Sequence, residues 1–175
     1  MAGDSVSIAP QRVTTHLYTN VKKINYFING LVFVNQFIYL KKRGLSEMIT
    51  AITDGVKITV ETQYQPEYSN PANEHFMFAY RINIENVGDH AVQLLRRHWH
   101  IFDSNSTHRE VEGEGVVGVQ PVIEPGHSHE YISGCNLKTD MGSMKGEYQM
   151  VRLLDGTLFN VTIPEFYLVA SYKMN

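Results

Sequence analysis

Arg109-Glu-Val-Glu-Gly-Glu-Gly-Val-Val-Gly-Val-Gln-Pro-Val-Ile-Glu-Pro-Gly126 holds a G-x-G-x-x-G spacing at Gly113, Gly115 and Gly118, and its reading decides between an α/β nucleotide-binding fold and an all-β one. In a dinucleotide site the glycines leave a strand and open a helix, whose N-terminal amides and dipole hold the pyrophosphate. Here Gly118 is followed by Pro121 and Pro125, and prolines so close together bar a helix by removing donors and clashing with the preceding turn. Glu110, Glu112 and Glu114 add negative charge that would oppose a phosphate unless Arg96, Arg97 or Arg109 countered it. The α/β reading is rejected. The glycines are expected to serve positive-φ turns or close backbone packing in a long inter-strand loop. A different anion site, made from loop amides and comprising Gly113, Gly115, Gly118 and Arg109, stands as the alternative.

The segments on either side alternate with the two-residue period of strands. In Val56-Lys-Ile-Thr-Val-Glu-Thr-Gln-Tyr64 the residues Val56, Ile58 and Val60 share one face. Residues 76–87 set Phe76, Phe78, Tyr80, Ile82 and Ile84 against Met77, Ala79, Arg81, Asn83 and Glu85. Val92 to Asp103 places Leu94, Arg96, His98, His100 and Phe102 on one face, with Leu95, Arg97, Trp99 and Ile101 on the other, Trp99 pointing into the core. Further strands are predicted over 128–135, 146–154, 157–163 and 166–171, with Asp155-Gly156 as a type I′ hairpin signal. No window shows a capped helical repeat. The expected fold is therefore all-β, an immunoglobulin- or fibronectin type III-like sandwich of seven or more antiparallel strands.

A chain of 175 residues with 43% hydrophobic content suits one globular domain, which is placed at 48–175. Residues 1–47 carry six Lys/Arg against two Asp/Glu (+4), leaving nine against sixteen (−7) for 48–175. A domain at −7 repels phosphate backbones, so nucleic acid is not an expected partner. Within 20–43, sixteen of twenty-four residues are Asn, Lys, Ile, Tyr or Phe, types with A/T-rich codons. The uncharged run 24–40 lies between Lys22-Lys23 and Lys41-Lys42-Arg43, but Asn25, Asn29, Asn35 and Gln36 interrupt it. The extension 1–47 is read as an upstream start artefact or dispensable leader, with initiation at Met48; a membrane anchor and an ordered extension are the alternatives. No membrane association is expected for 48–175. One cysteine, Cys135, forms no internal disulfide and favours a reducing compartment, hence the cytoplasm.

Eight histidines raise a metal question, chiefly His98 and His100 on one strand face and the second H-x-H at His127 and His129. Imidazoles so spaced can share a divalent ion, with Asp103 or Glu130 as a carboxylate ligand. Surface histidines without a ligand role are the competing reading, and no resident cofactor is expected. Imidazole suits borderline transition ions, whereas a magnesium ion prefers oxygen ligands and water. The chain has no G-x-S-x-G, H-E-x-x-H or P-loop, and Cys135 reads as a small buried hydrophobe. No enzymatic activity is expected. Arg96 and Arg97 point to opposite faces, and the one sharing Trp99's face is expected to pair with a carboxylate.

Five motifs in order, Arg97-His-Trp-His-Ile-Phe-Asp103, the 113–118 glycine loop with Pro121 and Pro125-Gly126, Tyr131-Ile-Ser-Gly-Cys-Asn-Leu137, Met144-Lys-Gly-Glu-Tyr148 and Phe159-Asn-Val-Thr-Ile-Pro-Glu-Phe166, resemble the ApaG family over roughly 52–175. The resemblance implies a fibronectin-like sandwich, a bacterial association with cobalt and magnesium efflux or tolerance, and, in eukaryotic relatives, use as an interaction domain beside other modules. The partner expected is an unidentified protein, with homo-oligomerisation left open.

Overall fold

The computed structural model describes residues 26–28, 31–33 and 48–173. In the first stretch β1 (Tyr26–Ile28) pairs antiparallel with β2 (Leu31–Phe33); the rest of 1–47, with the expectations placed on it, lies outside the described residues. Among the described residues no helix is long and apolar enough to cross a membrane. The body is an antiparallel β-sandwich. One sheet orders as β3-β4-β5-β9, from β3 (Ile49–Thr53), β4 (Val56–Tyr64), β5 (Phe76–Asn86) and β9 (Ser128–Leu137). The other orders as β11-β10-β6-β7, from β6 (Val92–Asp103), β7 (Thr107–Glu114), β10 (Met141–Arg152) and β11 (Leu158–Val169). Its fifth strand, β8 (Val122–Ile123), pairs with the start of β6 on the edge that β7 occupies further along.

The two inner faces meet in one core. Ile58, Phe78, Ile82 and Ile84 from the first sheet and Leu94, Tyr148, Met150 and Val161 from the second are fully buried. Trp99 is the pivot: its ring lies 5.6 Å from Tyr80 across the sheets, 5.9 Å from Phe166 and 6.5 Å from Tyr148, all edge-on.

Several predicted boundaries need correction. Leu94 is buried, on the same side as Trp99, because the β6–β10 register shifts between Gln149 and Met150 and leaves Leu95 as an extra residue. The segments predicted at 157–163 and 166–171 are one strand, β11, interrupted where Pro164 and Glu165 face Lys145, a place where a strand proline is tolerated. Gly113 lies in strand β7 rather than in a loop; that strand is an exposed edge with charged residues on its outer side, so it lacks the apolar alternation of a buried strand. Asp155-Gly156 does join two strands, but only Gly156 has positive φ, +72°, and its amide bonds back to Arg152 O at 2.9 Å, so the connection is longer than a two-residue type I′ turn.

Inside the core the hydroxyls of Tyr131 on β9 and Tyr148 on β10 hydrogen-bond at 2.5 Å, joining the sheets. Burial pushes both phenols above their ordinary range, and lifts Tyr80 from 10 to about 12. A folded-state pKa raised in this way contributes stability that is complete below pH 10 and lost as pH climbs through 10 toward about 12. Tyr148→Phe is expected to cost roughly 1–3 kcal/mol by stranding the Tyr131 hydroxyl, while the double Tyr131→Phe, Tyr148→Phe variant costs clearly less than the sum of the singles. Urea unfolding of the four proteins measures this. Additive costs would contradict a coupled pair.

Candidate functional site

The glycine segment is organised by Arg97. Gly113 sits opposite Arg97 in the β6–β7 ladder, and a Cβ there would lie 3.0 Å from both terminal guanidinium nitrogens. Without that carbon the Arg97 side chain passes and donates from Nη1 to Glu114 O at 2.9 Å and Gly115 O at 2.7 Å. The expected carboxylate partner is thereby replaced by two main-chain carbonyls, which satisfy a half-buried guanidinium without burying a second charge. Gly115 then turns at φ +56°, where a Cβ would come within 2.1 Å of Val119 O. Val117 (φ +48°) and Gly118 (φ +79°) form the two-residue tip of a tight turn closed by Val116 N→Val119 O at 2.8 Å and Val119 N→Val116 O at 3.1 Å. Val116 is fully buried and pins the turn to the core. Leu95, the extra residue of β6, accepts at its carbonyl from Gly115 N at 2.9 Å and from Gln120 Nε2 at 2.8 Å.

Positive φ thus occurs at Gly115 and Gly118 as expected, whereas Gly113 is required for close approach. The amides of Gly115, Val116 and Val119 are directed at carbonyls of the protein. Arg109, the fourth residue of the anion alternative, is not brought to them. It pairs with Ile101, four residues along β7 from Gly113 and so about 13 Å away at ~3.3 Å per residue. Its guanidinium reaches the other sheet, donating to Asn136 O and, at 3.4 Å, to Cys135 Sγ. Cys135 is buried, and burial pushes its thiol up despite the nearby guanidinium, so it packs as the small hydrophobe the sequence suggested.

The histidines fare differently. His98 and His100 project from the outer face of β6 with ring centroids 4.4 Å apart, and β7 sets Glu112 opposite His98 and Glu110 opposite His100. His98 Nε2 lies 3.0 Å from Glu110 Oε2 and 3.7 Å from Glu112 Oε1; His100 Nδ1 lies 3.6 Å from Glu110 Oε1. Arg96 completes the row at 3.9 Å from Glu112 and 4.0 Å from Glu114. The carboxylates suggested from sequence are elsewhere. Asp103 is buried and accepts from Lys138 N at 2.6 Å and from the Thr139 hydroxyl, while Glu130 lies on β9 opposite Asn83. His127 and His129 belong to that region too, and burial lowers the pKa of His129. Glu110 and Glu112, named from sequence only as negative charge beside the glycines, alternate about Val111 as His98 and His100 do about Trp99, and the ladder brings the two pairs together.

A family model described as the ApaG domain matches residues 66–152, a span that includes β6, β7 and the glycine loop. Protein ApaG of Anaeromyxobacter dehalogenans is 47% identical over 128 residues, covering 73% of this chain and 100% of the relative. The chain belongs to the ApaG family. Protein ApaG of Dechloromonas aromatica is 48% identical over 115 residues, covering 66% of this chain and 90% of that one. Among solved structures, the putative ApaA protein of Bordetella pertussis superposes with a TM-score of 0.65 at 42% identity, over 66% of this chain and 94% of its own. These likenesses place the ApaG fold on this chain independently of its strand periodicity.

Gly118→Ala introduces only left-handed strain, since nothing lies within 4 Å of its Cβ position, and is expected to cost about 1–2 kcal/mol. Gly115→Ala adds a backbone collision at 2.1 Å and is expected to cost clearly more. Urea unfolding compares them, and equal costs would contradict the loop geometry.

Proposed function

We propose that this ApaG-family chain is a non-enzymatic interaction module that binds a protein partner through the outer face of its five-stranded sheet and, through that partner, acts in cobalt and magnesium efflux or tolerance. The observation that carries the binding surface is a row of residues running across four strands. Val122 on β8 pairs with Gln93 on β6, which pairs with Val151 on β10, which pairs with Leu158 on β11. Val122 is 49% and Leu158 59% exposed, and Leu153 (47%) and Leu154 (70%) extend the apolar surface at the adjoining turn. The outer face of an antiparallel sheet ordinarily carries polar residues; here Gln93 is the one polar member of the row, Val151 is half-buried, and the exposed Val122, Leu153, Leu154 and Leu158 around them mark a contact surface.

The non-enzymatic reading is supported by where the reactive groups lie. Cys135 and the Tyr80, Tyr131 and Tyr148 phenols are buried and their pKa values are raised. The cobalt and magnesium association is supported by the family resemblance alone. A cytoplasmic setting is consistent with a single free cysteine, and the sandwich is read as one of the fibronectin type III kind.

The double substitution Leu154→Glu, Leu158→Glu alters side chains that are mostly in water and is expected to leave the unfolding midpoint unchanged. In cells lacking the protein it is expected to fail to restore cobalt tolerance, while the wild type restores it. Photo-crosslinking from position 158 in the same cells should yield one dominant protein adduct that crosslinking from position 50, on β3 of the opposite sheet, does not. Full complementation by the folded double variant would overturn the proposal.

A further inference from the structure

The same sheet face carries, beyond the apolar row, a group of donors with a chemistry of its own. We propose that His98, His100 and Glu110 form a mononuclear site for a borderline divalent transition ion of the zinc, cobalt and nickel class, with Glu112 as an added oxygen ligand. Donor atoms of the first three residues all lie within 4.8 Å of one another. A tetrahedral ion with bonds of about 2.05 Å separates its ligand atoms by about 3.3 Å. The separations of 3.0 Å, 3.6 Å and 3.7 Å between imidazole nitrogens and carboxylate oxygens fall on either side of that edge.

A shared proton accounts for the contact between His98 and Glu110. It does not account for the second imidazole facing the other oxygen of the same carboxylate, with Glu112 closing on His98 from the next position. The strand period supplies both convergences: residues two apart project from one face of each strand, and the β6–β7 register sets the pair of imidazoles against the pair of carboxylates. Two neutral imidazoles and two carboxylates match a dication in charge. Arg96 flanks the group from β6, and Lys145 and Glu147 stand opposite His100 and His98 on β10. Side-chain exposures of 25% for His98, 45% for His100 and 63% for Glu110 leave the group open to an aqueous ion, with coordination positions remaining for water. Imidazole nitrogen suits zinc, cobalt and nickel, whereas magnesium demands an octahedron of oxygen and water, so the site discriminates against magnesium.

The experiment uses the full chain, stripped of metal and titrated by calorimetry with zinc chloride, cobalt chloride and magnesium chloride. One zinc or cobalt ion per chain is expected at this site, not displaced by a large excess of magnesium. Its affinity should fall in His98→Ala and in Glu110→Gln by more than the roughly 10- to 100-fold typical of a residue one layer behind the ligands. Glu110→Gln keeps the shape of an exposed side chain, and an unchanged unfolding midpoint for it separates lost ligation from lost folding. In NMR spectra, cobalt should produce paramagnetic shifts that radiate from β6 and β7. Zinc and cobalt bound no more tightly by the wild type than by the two variants, or displaced by magnesium, would overturn the proposal.

Discussion

The fork of Arg97 on the carbonyls of Glu114 and Gly115 is the constraint on which the functional face depends. A charged donor bonded to two carbonyls is worth more than a neutral hydrogen bond, of the order of 1.5–3 kcal/mol for each such contact. It also fixes position. Arg97 reaches the carbonyls only because Gly113 has no side chain, and the chain can leave β7 at that point only because Gly115 turns with positive φ. The turn that follows is then seated by the Leu95 carbonyl and by buried Val116. With the end of β7 held there, its register on β6 is set, and Glu110 and Glu112 come to stand opposite His100 and His98.

One irregularity divides this face in two. The extra residue at Leu95 reverses the alternation of β6, so that Arg96, His98 and His100 point outward on one side of it while Leu94 turns inward on the other. Beyond Leu95 the outward row is Val122, Gln93, Val151 and Leu158. Before it the outward positions are ionisable. A single sheet thus presents exposed apolar side chains and an ionisable cluster side by side, and the edge strands β7 and β8 contribute to one each.

The sandwich was legible because its core strands are long and alternate cleanly; Val56, Ile58 and Val60, and Phe78 through Ile84, announce their inner faces directly. The exclusion of a helix after Gly118 was equally legible, since Pro121 and Pro125 forbid it locally. What escaped detection depends on pairing rather than on periodicity. The β7 edge strand has charge on its outer side, so its sequence resembles a solvated loop until β6 lies alongside it. The partner of Arg97 was expected to be a carboxylate because burial of a guanidinium demands compensation; that the compensation comes from carbonyls depends on a turn geometry no spacing rule encodes. The histidine pair was visible, but its carboxylates were sought in Asp103 and Glu130 and not across the ladder, because register between strands is set by tertiary structure. The place of the chain in the ApaG family rested on five ordered motifs, and the relatives bear it out.

Hydrogen exchange on an Arg97→Lys variant tests the central dependence most directly. Both bonds leave Nη1 at the end of the rigid planar guanidinium; the lysine stem is shorter and flexible, so its ammonium is not held at that position between the two carbonyls. The account predicts that the amides of Gly115, Val116 and Val119 and the paired amides of β7 lose protection through local opening, while those of β4 and β5 keep theirs. Unchanged protection across 107–119 would contradict it, because the loop and the register of β7 would then be held by something other than Arg97.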